Sequence, residues 1–595
     1  MINVQRMDKT MTTLAELNSC DATAFAERLH GIYEHSPWIP LRAAAQRPYA
    51  SLATLKQALQ AQVSNATQDE QLGLIRAHPE LAGKAAIAGE LTAESTSEQA
   101  RSGLNQCSPE EFATLQQLNA DYNAKFGFPF ILAVKGPTGN GLTRQQIIAT
   151  FTRRLKNQRG DEQQECLRQI HRIAEMRLNV LLDVKLPFGP AIMQWAEELA
   201  QWSDDADGLT CAYMTSAHQQ SAARLAEWMR AAGMEVHIDD VGNVVGRYRS
   251  GAANAKTLMT GSHYDTVRNG GKYDGRLGIL LPIAIVQHLH AAGEKLPFDF
   301  EIVGFAEEEG VRFRSTFLGS NAITGRFDMG LLDQLDADGV SMRTALTDAG
   351  RDVAAIPGIA RDPATLLGYV EVHIEQGPVL LQRGLPLGVV TAIAGSSRFL
   401  IELRGLASHA GTTPMGQRRD AAAGVAELIL FAEARAASVP DVVATIGMLE
   451  VPSGSINVIP GRCRFSLDLR ATTDTARDAV DADVRAKLDE ICQRRGLSFT
   501  LQPTLAANAA PSDATWQSRW EAAVTELGLP LHRLPSGAGH DAMKLHEVMP
   551  QAMLFVRGQN SGISHNPLES TTSDDIDLAI QALTHLLTHL SPEQQ

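Results

Sequence analysis

Between residues 185 and 190 the chain reads Lys-Leu-Pro-Phe-Gly-Pro, and the hydrophobic patterning on its two sides is of two kinds. Upstream, apolar residues recur at helical spacing over 22–33, 51–63, 69–77, 109–126, 144–154 and 162–184, with almost no strand signal. Downstream, short apolar runs at 235–238, 244–248, 256–260, 298–305 and 369–373 alternate with helical stretches. A helical period and a strand–helix alternation build different layered cores, so the Pro-Gly-Pro break predicts a domain boundary. An all-α domain over 1–184 should precede an α/β unit.

The alternation is itself interrupted. Residues 397–507 bring an apolar run at 399–403, helices at 421–437 and 475–495, and strands at 442–450 and 463–468, which reads as a small inserted α+β sandwich. The α/β unit should therefore consist of 185–396 and 508–595. A length of 595 residues agrees, since it excludes one core and suggests roughly three to five compact units. A net charge of −15 leaves no basic surface for counterion exchange, so nucleic acid and anionic membrane are not expected partners and small molecules are. The six cysteines are scattered without a C-x-x-C pair, which suits a reducing compartment. Residues 1–11 hold Arg6, Asp8 and Lys9 and no apolar stretch of the kind a signal peptide needs. The longest apolar run, 279–286, is too short to span a membrane. A cytoplasmic protein is the expectation.

Chemistry concentrates where strands end. The stretch from Gly261 to Gly275, GSHYDTVRNGGKYDG, follows a strand and precedes an apolar helix. A histidine ligand needs an acceptor to fix its tautomer, which Asp265 offers His263, and a carboxylate at a helix start, Asp274, can bridge two cations. A glycine-rich surface loop with a capping Asp has the same composition. Next, Glu307, Glu308 and Glu309 follow the strand 300–305. Ligand sites in open α/β sheets lie outside such strand ends, where cations would relieve carboxylate repulsion, although a surface acidic cluster reads alike. His373 ends another strand, and His565 sits in a loop before the last helix. Four such loops on one chain point to a metal site.

Taken in order, GSHYDTVRNGGKYDG, AEEEG, HIEQGP, GLASHAGTTPM, NVIPG, LDLRAT, GAGHDA and GISHNPLE resemble the binuclear-metal amidohydrolases that include allantoate amidohydrolase, N-carbamoyl-L-amino acid hydrolase and β-ureidopropionase. The resemblance spans roughly 190–590 and implies a metallopeptidase-like catalytic domain with an inserted lid through which a homodimer forms. It implies two divalent ions, manganese or zinc, held by His263, Asp274, Glu309, His373 and His565, with Asp274 bridging. Glu308 would be the general base, and His409 would reach the partner's active site as an oxyanion donor. Arg470 would take the substrate carboxylate, with Gln376, Asn457, Gly539 and His540 as further contacts.

The helical half carries AHPELAG, LTAESTSEQ and YNAKFGFPFI. His78 precedes a proline, which ends its helix, and the Phe-Gly-Phe-Pro-Phe run reads as a core-packed turn as readily as a pocket wall. These motifs resemble 2-oxo-4-hydroxy-4-carboxy-5-ureidoimidazoline (OHCU) decarboxylase, an enzyme without a cofactor, over roughly 12–182. The resemblance implies a catalytic pair, His78 and Glu98. Ser95, Gln99 and the backbone near Phe130 and Ile131 would hold the ureide, and Arg177, or else Arg172, would bind its anion.

Overall fold

The computed structural model describes residues 12–81, 107–137, 141–252 and 254–590. Ser95, Glu98 and Gln99 lie outside them. Three separate hydrophobic clusters hold these residues together: one running from Leu17 to Leu178, a second from Ile192 to Leu590, and a third from Phe399 to Cys492 enclosed within the span of the second.

The first cluster is enclosed by helices, with Phe128, Phe130 and Ile131 to Val134 entering it from a coil. Its helices start where short polar side chains accept orphan backbone N–H groups. Ser108 and Glu111 cap each other's amides around Pro109, and Gly127 (φ +79°) ends that helix, Pro109–Phe126. Tyr122 packs against Phe126, Phe128, Phe130 and Phe151. Beside it Glu162 is buried and accepts from Arg154 at 2.6 Å and from Asn157 at 2.7 Å, so the interior charge is fully paired. The helix expected over 22–33 stops at Arg28, and Gly31 turns the chain with φ +83°.

The second cluster surrounds a nine-stranded sheet. Its strands are β1 (Glu235–Ile238), β2 (Val244–Tyr248), β3 (Thr257–His263), β4 (Asp299–Phe305), β5 (Leu366–Ile374) and β6 (Leu387–Ile393). The insertion follows with β7 (Gly395–Arg404), β8 (Ser408–His409), β9 (Val442–Thr445), β10 (Leu449–Glu450), β11 (Val458–Ile459), β12 (Arg462–Ala471) and β13 (Ser498–Ala507). The chain then rejoins the first sheet with β14 (Ala510–Pro511), β15 (Arg533–Ser536) and β16 (Gln551–Val556). The main order is β1-β2-β4-β3-β5-β16-β6-β14, with β15 on β6. Strands β4, β3, β5 and β16 run parallel. β3 and β4 are buried along their whole length, which is why they read as unbroken apolar runs. Parallel strands aim their C-terminal ends at one edge, and His263, Glu307 to Glu309 and His373 all leave the sheet there.

The insertion is a five-stranded antiparallel sheet, β10-β12-β7-β13 with β9 on β12, carrying helices Ala421–Ala437 and Asp474–Arg495 on its buried face, and a separate two-stranded pair, β8–β11. The single strand expected over 442–450 is two, β9 and β10. The helical domain docks on the main sheet's last helix, Ser573–Thr588. There Asp574 accepts from Arg172 at 2.5 Å and pairs with Lys56 at 3.5 Å, and Asn179 also donates to it. Among the described residues no helix is long and apolar enough to cross a membrane.

Candidate active sites

His263 ends β3, and the chain reaches Asp274 before the helix Arg276–Ala292 begins. Gly275 makes that turn at φ +64°, and a Cβ there would stand 2.4 Å from the His263 carbonyl oxygen, so only glycine fits. His263 Nδ1 lies 3.1 Å from the Asp265 backbone oxygen, and His373 Nδ1 lies 2.8 Å from that of Ile374. A carbonyl oxygen only accepts, so Nδ1 carries the proton in both rings and Nε2 presents its lone pair. Those Nε2 atoms stand 3.6 and 3.4 Å from Asp274 Oδ1. His565 Nε2 lies 3.1 Å from the other oxygen, Oδ2, and 3.3 Å from Glu309 Oε1. Asp274 Oδ1 thus faces the imidazoles of His263 and His373, and Oδ2 faces that of His565, which also meets Glu309. His263, Asp274 and His373 form one group able to hold a cation, and Asp274, Glu309 and His565 form another.

The electrostatics suit cations. Burial pushes the Glu309 carboxyl up to about 7, with Asp274 adding to the shift, and Glu308 is raised well above the ordinary range by burial and then by Glu309. Asp274 Oδ1 is buried, and among the described residues it has no hydrogen-bond partner. Carboxylates this close cannot all ionise unless positive charge joins them, and a mixed imidazole and carboxylate donor set suits divalent metal ions.

Neighbouring groups hold the ligands in place. Asp265 accepts from the Glu308 and Glu309 amides at 3.1 Å each, joining the His263 loop to the acidic loop. Glu569 accepts from the Tyr273 and Asp274 amides at 2.9 Å each and from Ser564, which ties the Asp274 turn to the His565 loop. Glu569 was present in the sequence as the end of GISHNPLE, but nothing in that motif gave it a task. Gln376 and His565 adopt φ of +57° and +54°, strained values for residues that are not glycine, and both line the site.

A cavity of about 390 Å3 opens over these groups, lined also by Phe317, Ser396, Arg398, Arg470 and Gly539. Arg470 donates to Asp468 at 2.9 Å and to the Gly537 oxygen at 2.6 Å. His540 does not reach the cavity. Its ring is buried against His373, centroids 4.5 Å apart, and its Nε2 lies 2.8 Å from Ser536 Oγ. His409 and Asn457 are absent from the lining as well. They share the exposed β8–β11 arm, where the Gly411 and Thr412 amides donate to His409 Nδ1 at 3.1 and 3.2 Å. Two donors on Nδ1 leave the proton on Nε2, which makes the outward atom a hydrogen-bond donor.

The helical domain holds a second arrangement. His78 is 5% exposed, and its Nδ1 lies 2.9 Å from the Leu74 carbonyl oxygen. Nε2 therefore bears the lone pair, and among the described residues it has no hydrogen-bond partner. Burial pushes the ring down to about 4, with Glu34 and Arg177 near enough to act on it. Arg177 donates to Glu34 at 2.7 Å and to the Gly31 oxygen at 2.8 Å. Arg172 faces the other way into the Asp574 network. Phe130 stacks on Phe151 in the core, and the Ile131 oxygen accepts from Arg154 at 2.7 Å.

Comparison with known proteins agrees with this division. Residues 18–179 match the OHCU decarboxylase model, and residues 259–589 match that of peptidase family M20/M25/M40. The N-carbamoyl-L-amino acid amidohydrolase of Geobacillus stearothermophilus is 38% identical over 390 residues, which is 64% of this chain and 94% of that protein. The allantoate deiminase of Arabidopsis thaliana is 37% identical over 421 residues, 66% of this chain and 80% of that one. A solved amidase of the hydantoinase/carbamoylase family from Burkholderia multivorans superposes with TM-score 0.63 and 31% identity, over 67% of this chain and 97% of its own. The chain therefore carries an OHCU decarboxylase domain over residues 18–179 and belongs, through residues 259–589, to peptidase family M20/M25/M40.

Proposed function

We propose that this chain is a bifunctional ureide-degrading enzyme. One domain converts OHCU to (S)-allantoin with release of carbon dioxide, and the other hydrolyses allantoate to ureidoglycine, ammonia and carbon dioxide. Identities of 38% and 37% to a carbamoyl amidohydrolase and an allantoate deiminase do not separate those substrates. The observation that carries the choice is the decarboxylase domain on the same chain. Its product is allantoin, one ring opening away from allantoate.

In the hydrolase, His263, Asp274 and His373 would hold one divalent cation and Asp274, Glu309 and His565 the other. When bound, such ions supply Lewis acidity, which brings the pKa of an activated water from about 15.7 toward 7. Glu308 takes the water's proton and returns it to the leaving nitrogen. Arg470 receives the carboxylate end-on. The tetrahedral oxyanion needs a donor, and His409 Nε2–H, on its exposed arm, supplies it to a second copy of the chain, so the working unit is a homodimer joined through the lid. In the decarboxylase, neutral His78 presents Nε2 to the substrate hydroxyl, with Glu98, Ser95 and Gln99 as its co-workers and Arg177 beside the developing anion. Six free thiols suit the reducing cytoplasm.

The test is a substrate panel. The purified chain, supplied with manganese or zinc, is assayed on allantoate, N-carbamoyl-β-alanine and N-carbamoyl-L-amino acids, and on OHCU. Turnover of OHCU and preference for allantoate are expected. Preference for an N-carbamoyl substrate would remove the allantoate assignment, and no turnover of OHCU would reduce the helical domain to a scaffold.

A further inference from the structure

The hydrolase cavity contains a guanidinium that the proposed reaction leaves unused. Arg398 on β7 stands directly opposite Asp468 on β12, and Ser396 stands opposite Arg470. Residues two apart on a strand share a face, so these four side chains form one polar patch, and Ser396, Arg398 and Arg470 line the cavity. Asp468 is its hub. It accepts from Arg398 Nε at 3.2 Å, from Ser396 Oγ at 3.2 Å, and from Arg470 Nε and Nη2. Burial alone would raise the Asp468 carboxyl, but Arg470 and Arg398 hold it below the ordinary carboxylate range. A fixed anion thus keeps two like charges side by side.

The two arginines are committed to different degrees. Arg470 spends Nε and Nη2 on Asp468 and Nη1 on the Gly537 oxygen. A guanidinium has five N–H donors, so Arg470 retains an end-on pair, enough for one carboxylate. Arg398 spends only Nε, and among the described residues its Nη groups meet no protein acceptor.

We propose that Arg398 is the specificity-determining residue of the hydrolase: its Nη donors receive the second ureido group of a bis-ureido carboxylate. This rests on the hydrolysis of a ureido carboxylate proposed above. A substrate with one ureido group and one carboxylate satisfies the reaction centre and Arg470, and leaves Arg398 to water. A second ureido group on the same carbon brings a carbonyl acceptor to the vacant donors. An apolar substituent in that place strips water from the half-exposed cation and returns nothing, which costs binding. One side chain thereby attracts bis-ureido acids and disfavours N-carbamoyl acids with apolar side chains.

The test compares kcat/KM of the full-length, metal-loaded wild type and Arg398→Leu on allantoate and on N-carbamoyl-L-methionine, with metal content measured on each sample. The ratio of allantoate to N-carbamoyl-L-methionine should fall about 10- to 100-fold, chiefly through the KM for allantoate. Should the leucine variant lose metal, Arg398→Gln supplies the same ratio. A ratio unchanged, or both substrates reduced equally, overturns the role of Arg398. The wild type alone tests the underlying assignment: preference for N-carbamoyl-L-methionine sinks that assignment, whereas preference for allantoate with an unshifted variant ratio sinks only Arg398.

Discussion

Around Asp274, candidate ligand loops arrive from strand ends spread from His263 to His565, whereas around His78 the polar groups come from one helical bundle, Arg177 on its long helix and His78 and Glu34 in the turns between helices. Both sites are buried, and burial acts on them in opposite senses. It pushes the Glu309 carboxyl up to about 7, where three neighbouring acids cannot all hold charge without cations. It pushes His78 down to about 4, which favours the neutral ring at physiological pH. On the proposed reading, the same desolvation therefore favours bound cations at one centre and an uncharged imidazole at the other.

The sharpest way to break that contrast is Asp274→Ala. With one oxygen facing each candidate ligand group, its loss should empty both metal positions and lower ureido hydrolysis by about a thousandfold or more. Metal analysis on the purified variant checks this, and decarboxylation by the same sample should be unchanged. Retention of one full equivalent of metal would show that Asp274 does not bridge. The reciprocal variant, His78→Ala, should lower decarboxylation by about 100- to 10,000-fold and leave hydrolysis intact, as read from carbon dioxide and ammonia release.

The difference between the sites also decided how much could be read from sequence. A parallel sheet puts every catalytic loop directly after an apolar run, so His263, the Glu307 to Glu309 cluster and His373 announced themselves by position. The helices 109–126, 144–154 and 421–437 were legible too, because caps and a terminal glycine fix their ends. The tasks of Glu569 and Arg398 were not, since each depends on a partner far along the chain: the Asp274 turn in one case and strand register with Asp468 in the other. The packing of His540 against His373 was not legible either, because adjacency to Gly539 says nothing about which side of the loop a ring takes. In the helical domain, Arg172 and Arg177 lie on different faces of one helix, the first bonded to Asp574 and the second to Glu34, contacts distant in sequence that no local pattern announces.

Smaller effects sharpen the contrast. The Asp265 carboxylate accepts from the Glu308 and Glu309 amides and lies 3.4 Å from His263 Nδ1, so Asp265→Ala, which keeps the backbone oxygen on His263, should weaken metal binding by about 10- to 100-fold without abolishing it, measured by chelator competition. Acidification should weaken the helical domain. His78 and His171 are both pushed to about 4, chiefly by burial, while an unfolded histidine titrates near 6.5. Between those values the unfolded chain binds more protons, so stability rises with pH across the window and is lost as pH falls through it. The slope should be on the order of 1 kcal/mol per pH unit for each histidine. Thermal inactivation of the decarboxylase at about pH 7, 6 and 5 measures it, and a flat profile would mean that these rings are not buried neutral.

The central claim is that one chain carries two chemistries, of which only one needs metal. Exhaustive chelation followed by assay of both reactions on the same sample tests it most directly. Ureido hydrolysis should vanish, returning with manganese or zinc, while OHCU decarboxylation continues at its original rate; loss of both activities, or survival of both, would contradict it.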